Sequence, residues 1–217
     1  DDARNENVNN ETLKVHFIDV GQADSILIQA PTGENMLIDA GNNDDAKTIV
    51  SYLNAQGVKK VDVLVGTHPH EDHIGSLDTV IDTYDIGKIY MPKATATTKT
   101  FEDVLTAIQN KGLKITAATG GTNISFSPSA KVEILAPNAS KYEDLNNYSA
   151  VIKLTYGKTS FLFTGDAEDV SENEMLARGY DLRADVLKVG HHGSNSSTTE
   201  AFLAAVDPTY AVICVGK

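Results

Sequence analysis

Apolar residues in this chain occur in short Val-, Ile- and Leu-rich runs, and these runs alternate with segments of helical spacing. Short apolar runs bounded by Gly, Pro and Asn are typical of strands, whereas apolar residues three and four positions apart predict helices. The pattern predicts strands at residues 13–20, 24–30, 35–40, 61–65, 86–91, 113–116, 131–135, 150–156, 160–163, 186–189 and 210–215. It predicts helices at residues 44–56, 74–84, 101–110, 170–178 and 199–206.

These predicted elements form two strand-rich blocks, each accompanied by its own helices. Because a sheet must bury a face against another layer, two such blocks predict an α/β fold with four layers in the order αββα. No long linker divides the chain, so residues 13–217 are expected to form a single domain. Residues 1–12 are mostly polar and are predicted to be an N-terminal tail.

Composition narrows the classes of protein that fit. With 18 Lys and Arg against 30 Asp and Glu, the formal net charge is −12 at pH 7. This charge excludes a protein that coats nucleic acid through a broad cationic face. The single cysteine, Cys214, excludes an intrachain disulfide framework and a four-cysteine zinc module.

Neither a membrane span nor a signal peptide is visible in the pattern. No apolar run approaches the roughly 18 residues that a transmembrane helix needs. The chain begins at Asp1, which fits an exported, processed protein and equally a trimmed recombinant chain. We expect an extracellular or cell-surface location, with the cytoplasm as the alternative.

Candidate chemistry is concentrated directly after the predicted strand at residues 61–65. His68, His70, Asp72 and His73 lie within six positions there. Imidazole and carboxylate groups suit zinc, manganese and iron, so the cluster predicts a metal site. His16 lies outside this cluster on an alternating strand, where a core or sheet-face position is expected.

Further candidate ligands follow two later strands. Asp166 comes just after the predicted strand at residues 160–163, and His191 and His192 follow the one at residues 186–189. Functional groups in open α/β sheets gather at the carboxyl ends of strands, so these residues are expected to meet. Asp166 alone would fit a helix cap equally well, but the three groups together favour metal binding.

Four motifs together resemble those of the metallo-β-lactamase-fold hydrolases. They are His68-x-His70-x-Asp72-His73, Leu37-Ile38-Asp39-Ala40-Gly41, Thr164-Gly165-Asp166 and His191-His192-Gly193-Ser194. More narrowly, residues 19–25 and 187–194 resemble the metallo-β-lactamase-like domain of ComEC-type competence proteins and the secreted choline-phosphate esterases of the same superfamily. The resemblance spans residues 13–215 and implies a four-layer αββα metallo-β-lactamase sandwich with two mixed sheets.

The resemblance also implies roles for the candidate residues. It places one divalent ion on His68 and His70, and a second on Asp72 and His73, with Asp166 between them. Either zinc or manganese fits. Either His191 or His192 is expected to be a further ligand of the second ion. We prefer His192 as the ligand, with His191 facing the substrate, but both assignments stay open. Asp39 is expected to orient the imidazoles. The catalytic candidates are Asp72, His191 and Glu168.

One departure from the superfamily pattern affects the metal count. Another histidine is usual before the Gly165-Asp166 turn, but residues 74–163 contain none. Asn146, Asn147 and Ser149 lie where it is expected, and amides and hydroxyls are poor zinc ligands. The first site is therefore expected to be open or weak, and a single bound ion is an alternative to two.

These expectations converge on a metal-dependent hydrolase. The main hypothesis is a phosphodiesterase or nuclease whose phosphodiester substrate could be single-stranded DNA. A choline-phosphate esterase that acts on a small head group is the alternative. A catalytically degenerate binding module of a cell-surface machine is the second alternative.

Overall fold

Two six-stranded sheets form the centre of the computed structural model, which describes residues 12–216. Most of the predicted tail therefore lies outside the described residues. The first sheet contains, in spatial order, β1 (Lys14–Phe17), β2 (Ile26–Gln29), β3 (Asn35–Ile38), β4 (Lys60–Val65), β5 (Asp85–Met91) and β6 (Ile115–Ala117). The second contains β7 (Thr122–Ser127), β8 (Ala130–Ala136), β9 (Val151–Tyr156), β10 (Thr159–Phe163), β11 (Val186–Lys188) and β12 (Tyr210–Val212), again in consecutive order.

Both sheets are mixed, as expected. In the first, β1 to β3 pair antiparallel and β3 to β6 pair parallel. In the second, β7 to β10 pair antiparallel and β10 to β12 pair parallel. Each sheet thus has a group of parallel strands whose carboxyl ends lie along one edge, where loops can bring side chains together.

Helices cover the outer faces of the sheets. The helices are α1 (Ala46–Ala55), α2 (Glu71–Ile74), α3 (Leu77–Thr83), α4 (Lys99–Asn110), α5 (Asp169–Ala177) and α6 (Glu200–Val206). In β2, Ile26 and Ile28 point between the sheets while Leu27 packs under the first group of helices. Because both faces are buried, the central strands have continuous apolar runs. The four-layer αββα prediction is confirmed.

The predicted helix at residues 74–84 is wrong at its start, because two helices, α2 and α3, lie in this region. Gly75 separates them and packs against the loop after β3. A Cβ there would lie 2.2 Å from the carbonyl carbon of Asn42. The Gly75 amide donates to Gly41 O at 2.8 Å, and Ser76 Oγ donates to Asn42 O at 2.6 Å. This contact anchors the segment that carries Asp72 and His73.

Strand β7 was not predicted. Only Ile124 and Phe126 of its six residues are buried, because it lies at the edge of the second sheet. Its few apolar residues among Thr, Asn and Ser gave no clear strand signal. Among the described residues, no helix is both long and apolar enough to cross a bilayer.

Candidate metal centre

Four of the predicted ligands converge at one edge of the sandwich, on segments that follow strands of both sheets. Asp72 and His73 lie in the first turn of α2, Asp166 follows β10, and His192 follows β11. Each offers one ligand atom, and these atoms all lie within 4.8 Å of one another. We call these four residues the metal cluster. The argument from strand ends correctly anticipated this meeting of distant segments.

Asp166 lies at the centre of the metal cluster and is only 1% exposed. Its Oδ1 is 3.1 Å from His73 Nε2, and its Oδ2 is 3.6 Å from His192 Nε2. Burial would raise the pKa of this carboxyl, but the neighbouring imidazoles of His73 and His192 hold it well below its ordinary value. The carboxylate is therefore ionised.

The contact between His73 and Asp166 is close but does not have the geometry of a good hydrogen bond. His73 Nε2 and Asp166 Oδ1 are buried and lack a hydrogen-bond partner among residues 12–216, despite their 3.1 Å separation. Buried polar atoms nearly always have a partner. Two imidazoles and two carboxylates also make a donor set that suits zinc or manganese. The residues present therefore fit a divalent ion.

The orientation of His73 is set by Asp39. Asp39 is fully buried, and its Oδ2 is 2.7 Å from His73 Nδ1. The backbone amide of Thr67 donates to Asp39 Oδ1 at 2.8 Å, and its hydroxyl donates to Oδ2 at 2.7 Å. With Nδ1 engaged, His73 directs Nε2 toward Asp166, as a metal-binding imidazole requires.

His192 is directed into the cluster in the same way. Its Nδ1 lies 2.8 Å from the carbonyl oxygen of Cys214, and its Nε2 lies 3.1 Å from Asp72 Oδ2. Burial lowers its pKa, but the carboxylates of Asp166 and Asp72 outweigh this and raise the pKa of His192 to about 9. The cluster therefore favours positive charge. Burial also raises the pKa of the Cys214 thiol to about 12, so this thiol stays protonated.

His68 and His70 form a less complete pair. His68 Nε2 is 3.0 Å from His70 Nδ1 and 3.8 Å from Asp166 Oδ2. Burial lowers the pKa of His68 well below its ordinary value, so the ring is neutral. Within the described part of the chain, neither residue belongs to a group of three or more ligand atoms as close as those of the metal cluster.

The residues in place of the missing histidine have structural partners. Ser149 Oγ lies 3.3 Å from His68 Nδ1, the nitrogen that faces away from His70. Asn147 Oδ1 accepts hydrogen bonds from the backbone amides of Glu168 and Ser171. Asn146 Nδ2 donates to Glu168 Oε1 at 3.2 Å. These contacts leave His68 and His70 without a third protein ligand comparable to those of the metal cluster.

His191 lies beside the metal cluster. Its Nδ1 is 3.1 Å from Glu168 Oε1, and its Nε2 is 3.9 Å from Asp166 Oδ2. The φ angles of His191 and His192 are 45° and 52°, in the left-handed region that non-glycine residues rarely adopt. This unusual backbone turns the tandem side chains to different partners, Glu168 for one and Asp72 for the other.

Comparison with known proteins agrees with this geometry. The profile of the metallo-beta-lactamase superfamily matches residues 18–217. The chain belongs to the metallo-beta-lactamase superfamily. This superfamily's fold implies divalent metal binding, and the motif resemblance is confirmed.

Individual relatives extend the comparison. The chain is 32% identical over 221 residues to ComE operon protein 3 of Bacillus subtilis (strain 168) and 32% identical over 200 residues to competence protein ComA of Neisseria gonorrhoeae. These alignments cover 94% and 91% of the chain but only 28% and 26% of those proteins. The chain thus spans about a quarter of their length.

A solved structure shows the same fold at low sequence identity. A diphosphatase from the PhnP family has a TM-score of 0.52 at 17% identity, covering 89% of this chain and 72% of that one. At this level of identity the likeness concerns the fold alone. The sandwich expected of a superfamily member is therefore present.

Sequence reasoning missed a buried cation within this superfamily site. Lys188 is 0% exposed, forms an ion pair with Asp24 and donates to Gly165 O at 2.8 Å. Its Nζ lies 3.9 Å from Asp166 Oδ1. A lysine among the apolar residues of β11 was the available signal, because lysine is almost never fully buried unless paired. His16, by contrast, lies on β1 as expected and contacts Tyr52 Oη at 3.0 Å.

Proposed function

We propose that this domain is a metal-dependent phosphodiesterase that cleaves nucleic acid or nucleotides, with single-stranded DNA as the favoured substrate. The observation that carries the proposal is the metal cluster, in which two buried ligand atoms make no hydrogen bond to any residue of the described chain. One relative is named a competence protein, and one structural neighbour is named a diphosphatase. These names support a phosphate ester as the substrate. The net charge of −12 is compatible with cleavage of DNA but not with tight coating of it.

We assign one ion to Asp72, His73, Asp166 and His192, and only weaker binding of a second to His68 and His70. Zinc and manganese both suit these donors. A bound divalent ion would polarise a phosphoryl oxygen and supply a nucleophilic hydroxide near neutral pH. Burial would raise the pKa of Asp72, but the hydrogen bond from His192 and the nearby charge of His73 together lower it, so its ionised carboxylate suits ligation better than proton transfer.

In this proposal His191 donates a proton to the leaving oxygen of the substrate. Glu168 engages its Nδ1, and the ring is 32% exposed, so Nε2 is accessible beside Asp166. Ser196 Oγ also donates to Glu168 Oε1 at 2.8 Å, which keeps the carboxylate in place. His191 can therefore donate a proton to the leaving oxygen, as a positioned imidazole does in general acid catalysis.

Replacement of His191 by Asn tests this role. We expect kcat for phosphodiesters to fall by about 10²-fold, the lower range for loss of a general acid. The metal content should stay unchanged, because His191 is not part of the metal cluster. Steady-state kinetics with metal analysis of the same preparation provide the measurement. His16→Asn, on the edge strand β1 of the first sheet, is the matched control. Unchanged kcat in His191→Asn would remove the proton-transfer role.

Metal removal tests the proposed function as a whole. We expect about one divalent ion per chain after incubation with zinc or manganese, and hydrolysis of bis-p-nitrophenyl phosphate and single-stranded DNA that chelator abolishes. Mass spectrometry of metals and a colorimetric assay provide the readouts. Bound metal without turnover of any phosphodiester would favour the binding-module alternative. Turnover of p-nitrophenylphosphorylcholine in preference to DNA would favour the choline-phosphate esterase.

A further inference from the structure

A cleft of about 300 Å³ lies at the same edge of the sandwich as the metal cluster. Strands β4, β5 and β6 are parallel neighbours, so their carboxyl ends lie side by side. His68 follows β4, Lys93 follows β5, and Thr119 follows β6. Lys93 and Thr119 both line the cleft, which therefore lies next along the edge from the candidate ligands.

The opposite sheet connects the cleft to the cluster even more directly. Tyr148 lines the cleft, and the next residue, Ser149, lies 3.3 Å from His68 through its Oγ. Neighbouring Cα atoms are about 3.8 Å apart. Ser149 Oγ also accepts a hydrogen bond from the backbone amide of Asp166 at 3.1 Å. The chain segment that lines the cleft therefore also contacts the metal cluster, which puts the cleft next to the position of the reacting phosphate.

The cleft offers uncommitted donors and no negative charge. Lys93 is exposed, and no hydrogen bond or ion pair joins its ammonium group to another residue of the described chain. The hydroxyls of Thr119 and Ser140 likewise have no side-chain partner within residues 12–216. No residue found to line the cleft is acidic, although the chain as a whole has a net charge of −12. The lining therefore suits an anion with several acceptor oxygens.

We propose that this cleft is a subsite for a second phosphate of the substrate, adjacent to the scissile one, with Lys93 as its cation. The inference rests on the proposed phosphodiesterase function and specifies its substrate class as an oligonucleotide. The half-buried ring of Tyr148 provides a surface for a neighbouring base. A quaternary ammonium head group fits poorly, because Lys93 repels it and Tyr148 is the only aromatic residue found in the lining.

Lys93→Gln tests the subsite, with Lys88→Gln as the matched control on the exposed part of β5. We expect Lys93→Gln to weaken binding of a short fluorescein-labelled single-stranded DNA about fivefold, as for one exposed ion pair. The slope of log affinity against log salt should fall by about 0.7, the value for one phosphate contact on a single strand. Fluorescence anisotropy measures both in the presence of chelator, and KM for the same DNA should rise in parallel with metal present.

Two results separate failure of the subsite from failure of the proposed function. If bis-p-nitrophenyl phosphate is hydrolysed equally by all variants but the DNA affinity and salt slope of Lys93→Gln equal those of Lys88→Gln, the subsite is overturned and the phosphodiesterase stands. If no phosphodiester is hydrolysed, the proposed function fails. The anisotropy comparison still decides whether Lys93 contacts a phosphate, because it requires no turnover.

Discussion

Asp166→Asn is expected to lose the bound ion and to reduce phosphodiester turnover to the level of buffer. Asp166 faces the Nε2 atoms of both His73 and His192, one through each of its two oxygens. Asn keeps the shape but removes the negative charge and replaces one acceptor oxygen by a donor. Mutation of a residue that only orients a metal ligand lowers metal affinity about 10- to 100-fold. Loss of a direct ligand should therefore lower the metal affinity more than about 100-fold.

Thermal unfolding with and without metal measures this effect independently of activity. A ligand at 100 times its Kd stabilises the folded state by about 2.7 kcal/mol, so zinc or manganese should raise the Tm of the wild-type chain clearly. Asp166→Asn should show no such rise. Asp169→Asn, on an exposed residue at the start of α5, should behave like wild type. A full complement of metal in Asp166→Asn would refute the central position assigned to this carboxylate.

Lys188→Met should lower the free energy of unfolding by about 3–5 kcal/mol, the usual cost of breaking a buried ion pair from one side. Lys188 and Asp24 are both essentially inaccessible to solvent, and Asp24 Oδ1 lacks a hydrogen-bond partner in the described chain. Burial alone would lower the pKa of Lys188, but the carboxylates of Asp24 and Asp166 raise it, so the ammonium is charged. Met fills similar space but leaves Asp24 without its close ammonium partner, with only the imidazoles of His73 and His192 nearby, each 3.8 Å away.

Urea titration of Lys188→Met, Lys153→Met and the double variant Lys188→Met/Asp24→Asn measures the free energy of unfolding. The comparison separates the effect of breaking the buried ion pair from the effect of losing a buried lysine. Lys153 is also buried, but its partner Asp181 is 82% exposed and stays solvated after Lys153→Met. We expect that control to lose only about 1 kcal/mol or less. Adding Asp24→Asn to Lys188→Met should recover part of the loss, because the unpaired charge is removed. Equal losses in the two lysine variants would contradict the assigned pair.

The layers of the fold could be predicted because the apolar runs and turn residues that indicate strands and helices lie in neighbouring positions of the sequence. Apolar runs such as β2 and β3 are continuous where both sheet faces are buried, and Gly and Pro mark their ends. The edge strand β7 was missed because only one of its faces is buried against the core. The break at Gly75 was missed because it depends on a backbone contact with Asn42, more than thirty positions earlier.

For the candidate site, residue types and their positions after strands were sufficient to predict which side chains gather at one edge. Asp72, His73, Asp166 and His192 were all identified in this way. The local sequence could not decide between His191 and His192 as the inward residue. Left-handed backbone at both positions and the carbonyl of Cys214 direct His192 to Asp72, and these depend on the packed structure.

The sequence by itself thus determined the superfamily, the αββα layers and the residue types of a metal site, because periodicity, turn residues and motifs are encoded in neighbouring positions. Only the tertiary structure decided the details of that site. It paired Lys188 with Asp24, turned His73 Nε2 toward Asp166 through Asp39, and left His68 and His70 without a comparable third ligand. It also placed the cleft of Lys93 beside them. These features depend on the approach of side chains from segments far apart in the chain, which no local pattern specifies.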